Sequence, residues 1–243
     1  MTNQAISDTL DLMIQNTNDH YRVDKLYSYI VTHDSGFAPN PFLGICSLAC
    51  CKPKIREMVG RLWPNSKDIW IVGVSRKSRG NKVIYIMRVD EVVNFTEYYQ
   101  MYPKKRPDFT NGDYVRTRGD NIYKPSDSGF EQLRSKHSNN PKCDDWSPDC
   151  STQERDLRGK NVLLSKNFIY FGEKAIEIPP ELRSIIASRG YKCRFERSIL
   201  DSFERLVNNR REELKAGSVL GKPDIWDGDW PILGEDRLSL SRS

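Results

Sequence analysis

Between Thr32 and Arg56 the chain reads THDSGFAPNPFLGICSLACCKPKIR, a stretch dense in side chains able to do chemistry. A histidine near a carboxylate can serve as general base, and a nearby thiol as nucleophile. His33, Asp34 and Cys46 therefore form a candidate catalytic set. Adjacent residues of an extended segment point to opposite faces, so His33 and Asp34 need not meet. Asp34 equally suits an Asx turn into Ser35-Gly36. The same stretch can bind rather than react. Phe37 and Phe42 offer flat apolar walls, and Asn40 offers both donor and acceptor to a base edge. Lys52 and Arg56 offer cations in a setting stiffened by Pro53.

Further groups lie downstream. Trp70 and Tyr85 are aromatic and sit on a predicted hairpin, as pocket walls or as its core; stacking on such a ring is worth about 1–3 kcal/mol per base. Gly119-Asp120-Asn121-Ile122-Tyr123 can return a carboxylate (Asp120) and a phenol (Tyr123) to a site, or form an ordinary turn before a strand. Lys54 extends the first basic cluster, Arg76, Lys77 and Arg79 form a second, and Lys104, Lys105 and Arg106 a third. Three basic turns on one scaffold can track a phosphate backbone, and each can also be a plain solvated surface.

The six cysteines are Cys46, Cys50, Cys51, Cys143, Cys150 and Cys193. Their spacing is not that of a zinc finger or ribbon. A zinc site joining His33 to Cys46, Cys50 or Cys51 can be drawn, against buried thiols packing as small hydrophobes. No cofactor is expected, and the dinucleotide, Walker, zincin and hydrolase motifs are absent from the sequence.

The elements that must position these groups read as follows. Residues 1–24 hold a short helix and a connector. Strands are expected over 26–32, 67–75, 83–93 and 162–171, with the second and third joined through a basic Gly80-Asn81 turn. Residues 45–56 begin as a helix broken near Pro53. A short helical turn falls over 94–102, little regular structure over 110–159, and a short helix over 181–188. One amphipathic helix spans 195–215, with Phe195, Ile199, Phe203, Leu206 and Leu214 near helical spacing, and a polar tail follows. The organisation expected is an extension over 1–24, an α+β domain over 25–194 with 110–159 as a long loop or insertion, and a C-terminal helix and tail over 195–243. Hairpins rather than βαβ alternation point to an α+β fold with a mostly antiparallel, barrel-like sheet, flanking helices and a long C-terminal helix.

The net charge of +5 permits a phosphate-bearing partner without demanding one. Mean hydropathy of −0.66 is on the polar side, and no apolar run approaches the roughly 20 residues that cross a membrane. The first residues carry no basic stretch before an apolar core, so a cytoplasmic protein with no membrane contact is expected. Oligomeric state is not legible.

YSYIVTHDSGFAPNPFLGICSLACCKPKIR, then DIWIVGVSRKSRGNKVIYIMRVDEVVNFTEYY, then GDNIYKP together resemble the nucleotide-modification-associated domain family of the second type. The resemblance spans roughly residues 27–191. It implies bacteria and their phages as a setting, and a link to enzymes that make modified DNA bases. In architecture, KDIWIVG followed by IYIMRV is similar to PUA-like domains such as EVE and ASCH, small barrels that hold a nucleobase beside the sheet. Lys67-Asp68 departs from the Gly-Asp more usual there. These likenesses imply recognition of a modified base, in DNA or as a free nucleotide. Two alternatives stand beside it: an enzyme of base hypermodification using His33, Asp34 and a cysteine, and a protein that sequesters a nucleotide signal in defence.

Overall fold

The computed structural model describes residues 20–110, 113–136, 147–148 and 150–226. The helix expected near the start, the polar tail and Cys143 lie outside the described residues.

The chain runs β1 (Lys25–Val31), β2 (Cys46–Leu48), α1 (Pro53–Leu62), β3 (Ile69–Ser75), β4 (Val83–Arg88), β5 (Glu91–Asn94), α2 (Phe95–Met101), β6 (Tyr123–Ser126), β7 (Gly129–Gln132), α3 (Cys150–Leu157), β8 (Asn161–Ser165), β9 (Phe168–Tyr170), β10 (Tyr191–Lys192), α4 (Arg197–Asn208), α5 (Arg211–Lys215) and β11 (Ser218–Val219). The main sheet has the order β10-β1-β3-β4-β9-β11; a second sheet is β2-β8-β5, and β6-β7 is a separate hairpin. Pairing is antiparallel except for β1 with β3 and β9 with β11. The fold is mixed α+β, and the pairings among the described residues close no barrel.

The hairpin of β3 and β4 forms as its Val- and Ile-rich runs dictate, with Asn81 and Gly80 both at positive φ in its turn. A β-bulge falls between Gly73 and Val74. A Cβ on Gly73 would lie 2.3 Å from the Tyr85 ring, so only glycine lets that ring cross the strand.

Two runs expected as single strands are each broken in two. Val83–Val93 divides at Val89-Asp90 into β4 and β5, and 162–171 divides at Lys166-Asn167 into β8 and β9; at both breaks the chain changes sheets. One side chain ties the corners together: Asp90 Oδ2 accepts from the N–H of Lys166 at 2.7 Å, the N–H of Asn167 at 3.0 Å and Asn167 Nδ2 at 2.9 Å. After β5, Asn94 and Glu97 cap each other's N–H groups reciprocally and start α2.

Residues 45–56 do not begin as a helix. They give β2 and then α1, in which Pro53 occupies the opening turn, where its missing N–H costs nothing. The expected 195–215 helix is two helices, α4 and α5. At the end of α4, Asn208 donates its amide both to Glu204 O one turn back and to Tyr21 O, each at 2.8 Å, and accepts from Tyr21 N–H at 2.9 Å. The break lets Leu214 re-enter the core. The short helix near 181–188 is a 3-10 segment, Pro180–Ile185, and 110–159 contains both the β6-β7 hairpin and α3.

The main sheet buries both faces. One packs Leu26, Trp70 and Ile86 against Phe203, Val207 and Leu214, so the C-terminal helices continue the core begun by β1. The other packs Tyr27, Tyr29, Tyr85 and Met87 against Cys46, Ile55 and Leu163 from the second sheet and α1. Each such side chain contributes about 1.5–3 kcal/mol by leaving water.

Candidate functional site

β1 and β3 are parallel, so their carboxyl ends lie together, and the chain leaves them as Thr32–Asp34 and as Arg76. A cavity of about 190 Å³ opens there, lined by Asp34, Arg76, Arg79, Lys82, Glu173 and Asp224 among others. Asp34 is 4% exposed. Its Oδ1 accepts a short hydrogen bond from Tyr170 Oη, its Oδ2 a long one (3.4 Å) from Asp224 N–H, and its carbonyl one from Ile225 N–H at 2.8 Å. Burial pushes its carboxyl up to about 6, against the pull of Tyr170 and of the Asp224 and Gly36 N–H groups. A carboxyl that titrates near neutrality in a polar cavity can both accept and donate a proton. On the sheet behind it, Tyr29 and Tyr85 share a hydroxyl hydrogen bond of 2.8 Å, and burial holds both phenols protonated.

The cations of the rim are held differently. Arg79 pairs with Asp224 at 2.8 Å, and Lys82 with Glu177 at 2.7 Å. Arg76 is exposed and pairs with no carboxylate among the described residues. Residues 221–226 form a strap along this wall. Lys222 O accepts from Glu173 N–H at 2.8 Å, Asp224 and Ile225 bond Asp34, and the Trp226 ring lies 5.8 Å from Phe42 and 4.5 Å from Tyr114.

A family of known proteins matches over residues 23–228, under the description nucleotide modification associated domain 2. The chain belongs to that family. No match was found among curated proteins or among solved structures.

Of the residues singled out in the sequence, this domain brings Asp34, Arg76 and Arg79 into one cavity. His33 is exposed on the other side of the chain from Asp34, as extended backbone requires. Phe37 is buried in a cluster with Tyr98 and Ile122, and Trp70 is buried on the opposite face of the sheet from Tyr85, donating to Arg22 O at 2.7 Å. Lys52 lies over the Tyr29 ring, 4.5 Å from its centre, and donates to Ile30 O at 3.3 Å. Lys54, Lys77 and Lys104 are exposed.

Two groups form closed polar knots. In the first, Lys105 Nζ donates to Asn40 Oδ1 at 2.7 Å and Asn40 O at 3.0 Å, while Asn40 Nδ2 donates to Arg118 O at 2.8 Å. Asp120 accepts from Ser47 Oγ and Tyr98 Oη, each at 2.7 Å. In the second, Arg56 is fully buried and donates to the carbonyls of Cys51, Asn161 and Asp156 at 2.8, 2.7 and 2.5 Å. Asp156 in turn accepts from Cys51 N–H at 2.8 Å and Tyr123 Oη at 3.1 Å. Gly159 must be glycine here: a Cβ would sit 2.4 Å from the Arg56 guanidinium. Asn40, Lys105, Arg56, Asp120 and Tyr123 are thus committed to internal partners, and none of them lines the Asp34 cavity.

Cys46 is buried 4.0 Å from Met87 Sδ, and burial pushes its thiol up to about 12; Cys50 is raised well above its usual value and Cys51 to about 11 for the same reason. A thiol so held is not a nucleophile at neutral pH. Alkylation of the native domain, mapped by peptide mass, is therefore expected to modify Cys150 and Cys193 first, and Cys46 and Cys50 only on unfolding. Rapid labelling of Cys46 at neutral pH would contradict this. Among the described residues no cluster of three or more His, Cys, Asp or Glu side chains is arranged to hold a metal.

Sequence reasoning missed Lys82, at the end of the basic turn that begins with Arg76, and Tyr170, Glu173 and Asp224, which come from distant segments. Their only signal is the strand residue Tyr170, a phenol in an otherwise apolar run.

Proposed function

We propose that this domain recognises a nucleobase, modified in its native ligand, presented on a nucleotide or on DNA in a base-modification or defence setting. The observation that carries the reading is the buried Asp34 carboxyl at the floor of a cavity rimmed by Arg76, Arg79 and Lys82. A volume of about 190 Å³ suits one planar base or one phosphoryl group rather than a whole nucleotide. Asp34 then meets the polar edge of the base, and Arg76 meets the phosphate outside. Asp224 N–H, at 3.4 Å, makes the longest hydrogen bond to the Asp34 carboxylate and is the donor a base N–H would replace. The family's association with nucleotide modification supports the same class of ligand. Two corners where the chain passes between sheets are also in keeping with a partly open, PUA-like barrel.

Calorimetric titration with modified and unmodified mononucleotides at low salt tests this. Binding is expected in the wild type, lost in Asp34→Ala, and weakened about tenfold in Arg76→Ala, the worth of one charge-assisted contact. Absence of binding across the panel, or binding indifferent to both substitutions, overturns it.

A further inference from the structure

Lys166 precedes β9 and Gly172 follows it, so a second cavity lined by Lys166 sits off the opposite end of that strand from Asp34. This cavity is about 320 Å³, with walls from Leu43, Ile45, Met101 and Tyr102 and lysines 104 and 166 at its edge. Its rim contains an unusual piece of backbone. Leu43 and Gly44 are consecutive and both at positive φ, 63° and 75°. A bulky residue in that region is an outlier, and such conformations gather at ligand-binding sites. Successive N–H groups in a turn of this kind face one concavity, the arrangement that holds anions through the main chain.

The donors are available. The N–H groups of Leu43 and Gly44 donate to no acceptor among the described residues. Phe42 N–H just before them is used, bonding Asn40 Oδ1 at 3.2 Å. The Lys166 ammonium meets no carboxylate among the described residues, while its own N–H is fixed by Asp90. The carboxylate of Glu91, on this side of the molecule, accepts from Tyr102 Oη at 2.6 Å. Met101, 55% exposed, supplies an apolar shoulder beside these donors.

We propose that this cavity is a phosphate-binding site, in which the Leu43 and Gly44 N–H groups and the Lys166 ammonium hold the oxygens of a phosphoryl group. The site is independent of the Asp34 cavity. The phosphoryl group comes either from a nucleic acid backbone or from a small phosphorylated molecule, and the shared chemistry is the oxyanion.

The test is titration of the full chain with inorganic phosphate, followed by the amide resonances of Leu43 and Gly44, in wild type and in Lys166→Glu. Saturable shifts of those two amides in the wild type, weakened at least tenfold in Lys166→Glu, are expected. Asp34→Ala should give the wild-type result, which separates failure here from failure at the other cavity. A parallel titration with a short single-stranded oligonucleotide assigns the source. A salt dependence that flattens by about one counterion in Lys166→Glu identifies a nucleic acid backbone, and an unchanged salt dependence with phosphate still bound identifies a free phosphorylated ligand. Leu43 and Gly44 amides that ignore phosphate, or respond identically in Lys166→Glu, overturn the site. Lys166 is an exposed turn residue, so the variant is expected to fold.

Discussion

Replacing Arg56 with alanine is expected to destabilise the domain by roughly 3–5 kcal/mol, the range for breaking a buried charged network by removing one member. Three carbonyls, of Cys51, Asn161 and Asp156, lose their donor inside the protein. The Asp156 carboxylate loses one of two nearby cations, although Arg155 at 3.7 Å, Cys51 N–H and Tyr123 Oη remain. A void opens next to Phe95, whose ring centre lies 5.4 Å from the guanidinium. Three segments come apart together: the start of α1, the end of α3 and the start of β8. Lysine is not a conservative replacement, because one ammonium cannot reproduce the planar fork that reaches three carbonyls. Chemical denaturation measures the effect. The same truncation at exposed Arg76 should stay within about 0.5 kcal/mol. Equal stabilities of the two variants would show that the Arg56 knot does not hold the fold.

That contrast also shows what the sequence could and could not disclose. Arg56 and Arg76 are the same residue type in short basic clusters, and nothing local tells them apart. Arg56 is buried because Cys51, Asp156 and Asn161 converge on it, and two of these lie about a hundred positions away. Lys105 and Asp120 are hidden by the same kind of long-range convergence. Strand identity was legible because Val- and Ile-rich runs carry it locally. Strand breaks were not, because Asp90 breaks the first run only by bonding Lys166 and Asn167 in the second. Asp34 stands out in the sequence by its company in the chain, whereas its hydrogen-bond partners Tyr170 and Asp224 arrive from over 130 residues downstream. Cys46 drew notice as a reactive type, whereas its depth between two sheets makes it a packing residue.

Asp34 should also leave a signature in the pH dependence of stability. Its carboxyl rises from the ordinary 3.8 to about 6 on folding, chiefly through burial. Between those two values the native state holds a proton that the unfolded chain has released. Stability from this group is therefore fully present below about pH 4 and is lost as pH rises through about 6. The gap is worth roughly 3 kcal/mol. Asparagine at this position cannot titrate, and it can still accept from Tyr170 Oη. The stability of wild type relative to Asp34→Asn is thus expected to fall by up to about 3 kcal/mol between pH 4 and pH 7, read from denaturation curves at fixed ionic strength. Parallel curves for the two proteins would mean that Asp34 is ionised throughout, held by Tyr170 and the strap strongly enough to offset its burial. The direction bears on ligand recognition. Near neutral pH the folded domain carries a charge at a buried position that it would shed if it could. A ligand donating an N–H to Oδ2 relieves that cost, whereas one presenting only acceptors can bind only the protonated form. Affinity for a donor-edged base is therefore expected to strengthen as pH rises from 5 to 7, and affinity for an acceptor-edged base to weaken.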